Sequence, residues 1–388
     1  MSYILTIGII LIVSKLFGIA SKRMYMPRVV GALMVGIVLG PTLLGVIHED
    51  EILKVIAEIG VIILMFEAGL ETDINRFKKN MKAYFIVAMG GVIAPFVFGF
   101  AIGTLFNFDV MTSVFIGAVL TATSVSITVE TLNEMKKLDS TAGRTILGAA
   151  LVDDVIGIII LSVLISRVNA AAEPISMVLA KIVIFFVIAY LSGIQFRKFF
   201  KWLSESEGRK RRIPVFALGF CLLFAYFAER FGVADITGAY IAGLIFSNMH
   251  QTTYIREKVE VVSYMFFGPI FFASIGMAAT LTGMTYEILF FAVMLTVFAI
   301  ISKIIGGYFG SRISKINKTD SLKISFGMIA RGEVALIIAT KAKTSGLITE
   351  PVFAAVVIMV IVTTVITPIL LQYSYKKNKH KLHEDIIE

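Results

Sequence analysis

Thirteen apolar stretches, each legible in a window of about 19 residues, follow one another along the chain, and most connections between them are too short to hold a soluble domain. They run approximately over 3–21, 29–46, 52–70, 83–106, 110–131, 142–165, 174–196, 213–228, 233–249, 261–279, 288–309, 324–342 and 352–373, the ninth being short. Such stretches cross the about 30 Å hydrocarbon core of a bilayer when helical. Only 16% of the 388 residues are charged, against about 25% in soluble chains, and mean hydropathy is +0.89. The expectation is an all-α polytopic membrane protein with about 13 transmembrane helices. A single cysteine, Cys221, excludes an internal disulfide framework and a cysteine metal cluster. Four scattered histidines argue against zinc or haem, so no resident cofactor is expected. The N-terminus lacks a charged n-region and a small-residue cleavage site, so 3–21 reads as a retained helix.

The net charge of +9 invites a nucleic-acid reading, which its distribution removes. Of the 36 Lys and Arg residues, 27 lie in alternate loops and the C-terminal tail, and only five in the opposite loops. By the positive-inside rule the N-terminus is outside and the C-terminus cytoplasmic, which also requires an odd number of spans. The tail lysines Lys376–Lys381 are placed to meet anionic headgroups. Four basic residues remain inside apolar stretches: Lys15, Lys181, Lys303 and Arg331. Lys15 and Lys181 are near enough to an end to snorkel. Lys303 and Arg331 are not so easily dismissed.

Asp153 and Asp154 stand side by side in the middle of 142–165, closely flanked by apolar residues. An ionised carboxylate at a bilayer centre costs about 2.5–3.5 kcal/mol, so a pair persists only where it faces a polar cavity, binds a cation or carries protons. Two other stretches are built to break. Residues 120–128 hold five Thr or Ser in a row of nine, which weakens a helix and offers oxygens to freed backbone groups. Residues 327–335 place Arg331 and Glu333 around Gly332. Helix-weakening interruptions in corresponding segments point to a transport site. These two lie seven segments apart, an odd offset that inverts their topologies, as inverted repeats with two broken crossing helices would. Lys303 could pair with an aspartate. Unlike arginine, a compact ammonium can part with its proton when desolvated.

Asp153-Asp154, the preceding Thr-Ala-Thr-Ser-Val-Ser-Ile-Thr-Val run, Lys303 and Arg331-Gly-Glu333 together resemble the monovalent cation/proton antiporter-2 family, and within it the NapA-type sodium/proton antiporters. The resemblance covers essentially the whole chain. It implies the NhaA/NapA-like fold, a homodimer and elevator-like alternating access. A translocating core would comprise approximately 83–168 and 286–374, and a dimerisation scaffold 1–80 and 174–280. It assigns cation and proton binding to Asp154, with Asp153 sharing Na⁺ and pairing with Lys303 as salt bridge and proton carrier. Thr123, Ser124, Arg331 and Glu333 match the polar residues of the crossing helices. Gly69-Leu70-Glu71 matches a further family element, and Glu67 just before it adds a carboxylate of unassigned role. Related glutathione-gated potassium effluxers carry Gln-Asp in place of Asp-Asp and a long nucleotide-binding tail. This chain ends about fifteen residues past its last apolar stretch, so no soluble regulatory domain is expected.

The activity so implied is exchange of cytoplasmic Na⁺ or Li⁺ for external H⁺ across the cell membrane, electrogenic if Lys303 carries a proton. The main alternative is K⁺/H⁺ or mixed exchange on the same architecture. A passive channel would need no protonatable site. An intramembrane aspartyl protease needs two carboxyls from different elements facing one water, whereas adjacent residues on a helix point about 100° apart. His48, His250, His380 and His383 fall in loops and tail, where solvated histidine is the ordinary state.

Overall fold

The computed structural model describes residues 3–24, 26–41, 43–48, 50–73, 79–168, 174–205, 212–247, 249, 251–277, 285–344 and 346–384. Among the described residues there are helices and no strands. A helix closes its backbone hydrogen bonds within its own segment, which a lipid interior demands. Among the described residues eight helices are long and apolar enough to cross a membrane: Tyr3–Arg23, Met81–Leu105, Val110–Glu134 (taken across a break), Ile175–Phe196, Ile213–Arg230, Thr252–Met277, Tyr286–Ile313 and Glu350–Lys376. Arg28–Leu39 and Asp235–Phe246 are shorter apolar helices. Glu51–Glu71 and Thr141–Val168 are the helices that carry Glu67 and the aspartate pair. The chain is a multi-pass membrane protein.

Among the described residues the fifth, tenth and twelfth apolar stretches depart from a single regular helix within their length. The fifth divides into Val110–Thr121 and Val125–Glu134, and the twelfth into Lys318–Gly327 and Glu333–Thr344. The tenth begins earlier than its hydropathy predicts, at Thr252, and reaches Gly268–Met277 through a π-helical turn over Ser263–Phe267. Its first turns carry Arg256, Glu257, Lys258 and Glu260, which hide a helix from any search for apolar windows.

The helices cluster into two compact units. One comprises Met1–Asp50, Asn80–Asp153 and Phe272–Glu388; the other comprises Glu51–Lys79 and Asp154–Phe271. The line between them falls between Asp153 and Asp154. Within the first unit, Met81–Leu105 packs against Tyr286–Ile313 so closely that a Cβ on Gly90 would lie 2.4 Å from the Gly306 carbonyl oxygen. Lipid offers no hydrophobic drive between helices, so close backbone approach through small residues supplies the contact. The second unit repeats the device. Glu51–Glu71 meets Asp235–Phe246 where a Cβ on Gly69 would lie 2.2 Å from the Tyr240 carbonyl oxygen. Phe66 and Phe246 stack edge to face beside it, 6.0 Å between centroids.

Candidate functional site

The first break follows from its residues. Val110–Thr121 ends where Ala122, Thr123 and Ser124 leave the helix, Ala122 at φ −55° and ψ 139°. The second occupies Met328 to Gly332. Unwound backbone in an apolar interior must find other partners, and the two breaks supply them to each other. The Ser124 N–H donates to the Ala330 carbonyl at 2.8 Å, and the Thr128 hydroxyl to the Gly327 carbonyl at 2.6 Å. Gly332 is required at the crossing, since a Cβ there would lie 2.7 Å from Ser124 Oγ.

Each break seats one fully buried cation. Lys303, from Tyr286–Ile313, donates to the Thr121 carbonyl at 2.7 Å, to Thr123 Oγ1 at 2.6 Å and to Asp153 Oδ2 at 3.3 Å. Thr123 in turn donates its hydroxyl proton to the same Asp153 oxygen. All three ammonium donors are therefore engaged. The other carboxylate oxygen, Asp153 Oδ1, is buried with no hydrogen-bond partner.

Arg331 is held by backbone instead. Its guanidinium donates to the Ile329 carbonyl and, at 3.0 Å, to the Ala299 carbonyl. Its own N–H donates to Thr363 Oγ1 at 3.3 Å, and its carbonyl accepts from the Thr364 hydroxyl at 2.8 Å. The charge of Arg331 also acts on Asp153. Arginine in general keeps its proton in proteins, whereas a lysine ammonium can part with its own when desolvated.

Asp154 lies in the second unit, where its Oδ2 accepts from the Thr237 hydroxyl at 3.1 Å. Both residues are buried, Asp154 at 5% and Thr237 at 2% exposure. Around Asp154 the described contact is carboxylate to hydroxyl, and around Asp153 it is carboxylate, hydroxyl and carbonyl oxygen, all of them hard donors that suit an alkali cation. Among the described residues no group of three or more His, Cys, Asp or Glu is placed to hold a metal ion.

Residues 8–373 match the family described as sodium/hydrogen exchanger, transmembrane. The chain belongs to that family. The exchanger is 41% identical over 370 residues to the Na⁺/H⁺-K⁺ antiporter GerN of Bacillus cereus, covering 95% of each chain. It is 35% identical over 380 residues to a Na⁺/H⁺ antiporter of Enterococcus hirae, covering 97% of this chain and 99% of that one. Its fold is similar to that of the sodium proton antiporter MjNhaP1 from Methanocaldococcus jannaschii, at a TM-score of 0.71 and 17% identity over 95% of this chain and 96% of that one. Family membership places the exchanger among transporters rather than enzymes, which removes the protease alternative.

The structure thus brings Asp153, Lys303 and Thr123 into contact, and sets Ser124 against Ala330, one residue before Arg331. Glu333 opens the helix Glu333–Thr344, and its side chain lies outside the described residues. Glu67 is buried within the second unit. Lys15 and His48 are exposed and Lys181 is half-buried. His250 and the side chains of His380 and His383 lie outside the described residues. The sequence reading passed over Thr237, Thr363 and Thr364. Only Thr237 carried a local signal, a hydroxyl two residues after Asp235 at the start of the short ninth stretch.

Proposed function

We propose that the exchanger moves Na⁺ or Li⁺ out of the cytoplasm against H⁺ entry, at a site shared by Asp154 and Asp153. The observation that carries this reading is the buried Lys303–Thr123–Asp153 contact at an unwound crossing, immediately before Asp154 in the chain. Cation and protons compete for the same carboxylates. With Asp154 protonated and Asp153 paired to Lys303 the site is neutral and tolerable in lipid. When Na⁺ takes both carboxylates, the Asp154 proton leaves and Lys303 gives up its own. Two protons then exchange for one Na⁺, and each cycle carries one net positive charge inward. That charge is worth about 2.3 kcal/mol per 100 mV, so an inside-negative potential drives Na⁺ out.

In the same reading the chain has thirteen spans in inverted repeats and works as a homodimer in the cell membrane, with its N-terminus outside and C-terminus cytoplasmic. A core built around the broken helices moves like an elevator against a scaffold. The full chain in proteoliposomes tests the reading by dequenching of a pH-sensitive dye on addition of Na⁺. Asp154→Asn should abolish the response, and substantial exchange by that variant would remove the site from the mechanism. Potassium is the second reading, favoured by the similarity to an antiporter whose name includes K⁺. A panel of Li⁺, Na⁺, K⁺ and Rb⁺ in the same assay separates the two.

A further inference from the structure

Within the second unit Thr237 donates a hydrogen bond to Asp154, and no motif of the crossing helices includes it. From this contact we infer that Thr237 is a ligand of the transported cation, a role that rests on the Asp154 reading above. The hydroxyl sits in the first turn of Asp235–Phe246 and is 2% exposed, so its partner is fixed by packing rather than by solvent. Two features hold it there. The Thr237 N–H donates to the Ala234 carbonyl at 3.0 Å, closing the turn. Next to it, Gly238 allows close packing on Ile213–Arg230, for a Cβ there would lie 2.7 Å from the Phe224 carbonyl oxygen.

A threonine hydroxyl has one proton to donate and two lone pairs to offer. In the structure the proton goes to Asp154 Oδ2 across 3.1 Å. Hard cations of calcium's size, which sodium shares, take oxygens at about 2.3–2.6 Å, and two oxygens so bound at right angles stand about 3.3–3.7 Å apart. Carboxylate and hydroxyl need to separate by only a few tenths of an ångström for one cation to sit against both, the hydroxyl turning a lone pair inward and its proton away. The hydrogen bond thus holds the two oxygens nearly at ligand spacing, and a bound cation would replace it. A methyl group in place of the hydroxyl would leave the carboxylate one neighbour short in both states.

The test is cation-dependent exchange by the full chain in proteoliposomes, read as apparent KM and maximal rate for Li⁺, Na⁺ and K⁺. Thr237→Val, nearly isosteric, should raise the KM of the transported cation about tenfold and leave the maximal rate within about twofold. Thr237→Ser, which keeps the oxygen, should restore the KM. Thr237→Cys, which offers soft sulfur in place of hard oxygen, should raise the KM like valine, and it serves if the valine variant does not assemble. A KM unchanged in both valine and cysteine variants overturns the assignment, as does a fall in maximal rate alone that serine fails to repair. Those outcomes leave Asp154→Asn inactive and the antiport reading intact. Exchange surviving in Asp154→Asn sinks that reading instead.

Discussion

The break at 122–124 holds its lysine with one carbonyl, one hydroxyl and one carboxylate, whereas the break at 328–332 holds its arginine with backbone carbonyls. Side-chain ligands can change partners by rotating, and backbone ligands can do so only if the chain moves. The first seat is therefore suited to a charge that comes and goes, and the second to one that stays. Under the proposed mechanism the two crossings divide the labour, one titrating and one structural. Arg331→Met breaks that contrast most severely. It strands the Ile329 carbonyl, takes one of several donors from the Ala299 carbonyl and removes a charge acting on Asp153, a loss of about 3–5 kcal/mol by analogy with opened buried pairs. The expected outcome is little folded protein by size exclusion in detergent. Arg331→Lys should rescue poorly, because one ammonium lacks the planar fork that reaches both carbonyls. A stable, active Arg331→Met would show that the second break needs no cation.

Gly332→Ala attacks the place where the breaks touch. The added Cβ meets Ser124 at 2.7 Å, so the crossing must open, at about 1–3 kcal/mol as in overpacked cores. Thermal unfolding should show a lower midpoint, and Ser124→Gly in the same chain should recover part of it. No recovery would place the strain elsewhere. Lys303→Gln sharpens the other side. The amide still donates toward the Thr121 carbonyl and Asp153, left without its paired charge, takes up a proton and keeps it instead of staying ionised, so stability falls by about 1–2 kcal/mol, less than for Arg331→Met. Exchange by this variant should lose its response to a potassium-diffusion potential, because no second proton is left to carry. Voltage dependence that survives would reduce Lys303 to a structural part.

Much of this was open to sequence reasoning, for identifiable causes. Apolar stretches of bilayer length are one-dimensional signals, and Asp153, Asp154, Lys303 and Arg331 stand out because charge is costly in such stretches. The hydroxyl run 120–128 and Gly332 between two charges marked where helices stop, since both weaken helices through local chemistry. What holds Arg331 could not be read, because every residue has a carbonyl and nothing in the sequence singles out Ala299 or Ile329. Thr237 stayed hidden because its partner lies 83 positions away and its meaning exists only once the chain is folded. The early start of the Thr252 helix was missed because its polar turns carry no apolar signal.

The helix that ends at the first break begins in the open, and its two ends allow the smallest and cleanest comparison. Asp109 caps Val110–Thr121 from an exposed position, accepting from the N–H groups of Met111 at 2.9 Å and Thr112 at 3.2 Å and from the Thr112 hydroxyl. The Thr112 hydroxyl, foremost, and the two N–H groups hold the Asp109 carboxyl below its ordinary pKa, against a small opposing effect of burial. A carboxyl lowered by folding contributes stability above its unfolded pKa, and that contribution is lost as pH falls through the folded one. Asn at position 109 would cap without titrating, so Asp109→Asn isolates the charge, which solvent screening limits to about 0.3–1 kcal/mol at a helix start. The unfolding midpoint of the natural chain should exceed that of Asp109→Asn by a constant margin above the carboxylate range. The margin should close once acid protonates Asp109. A margin that persists unchanged at the acid end would mean that the cap works through hydrogen-bond geometry alone. The outer end of this helix would then owe nothing to charge, in contrast to its buried end, where Thr121 and Thr123 hold Lys303.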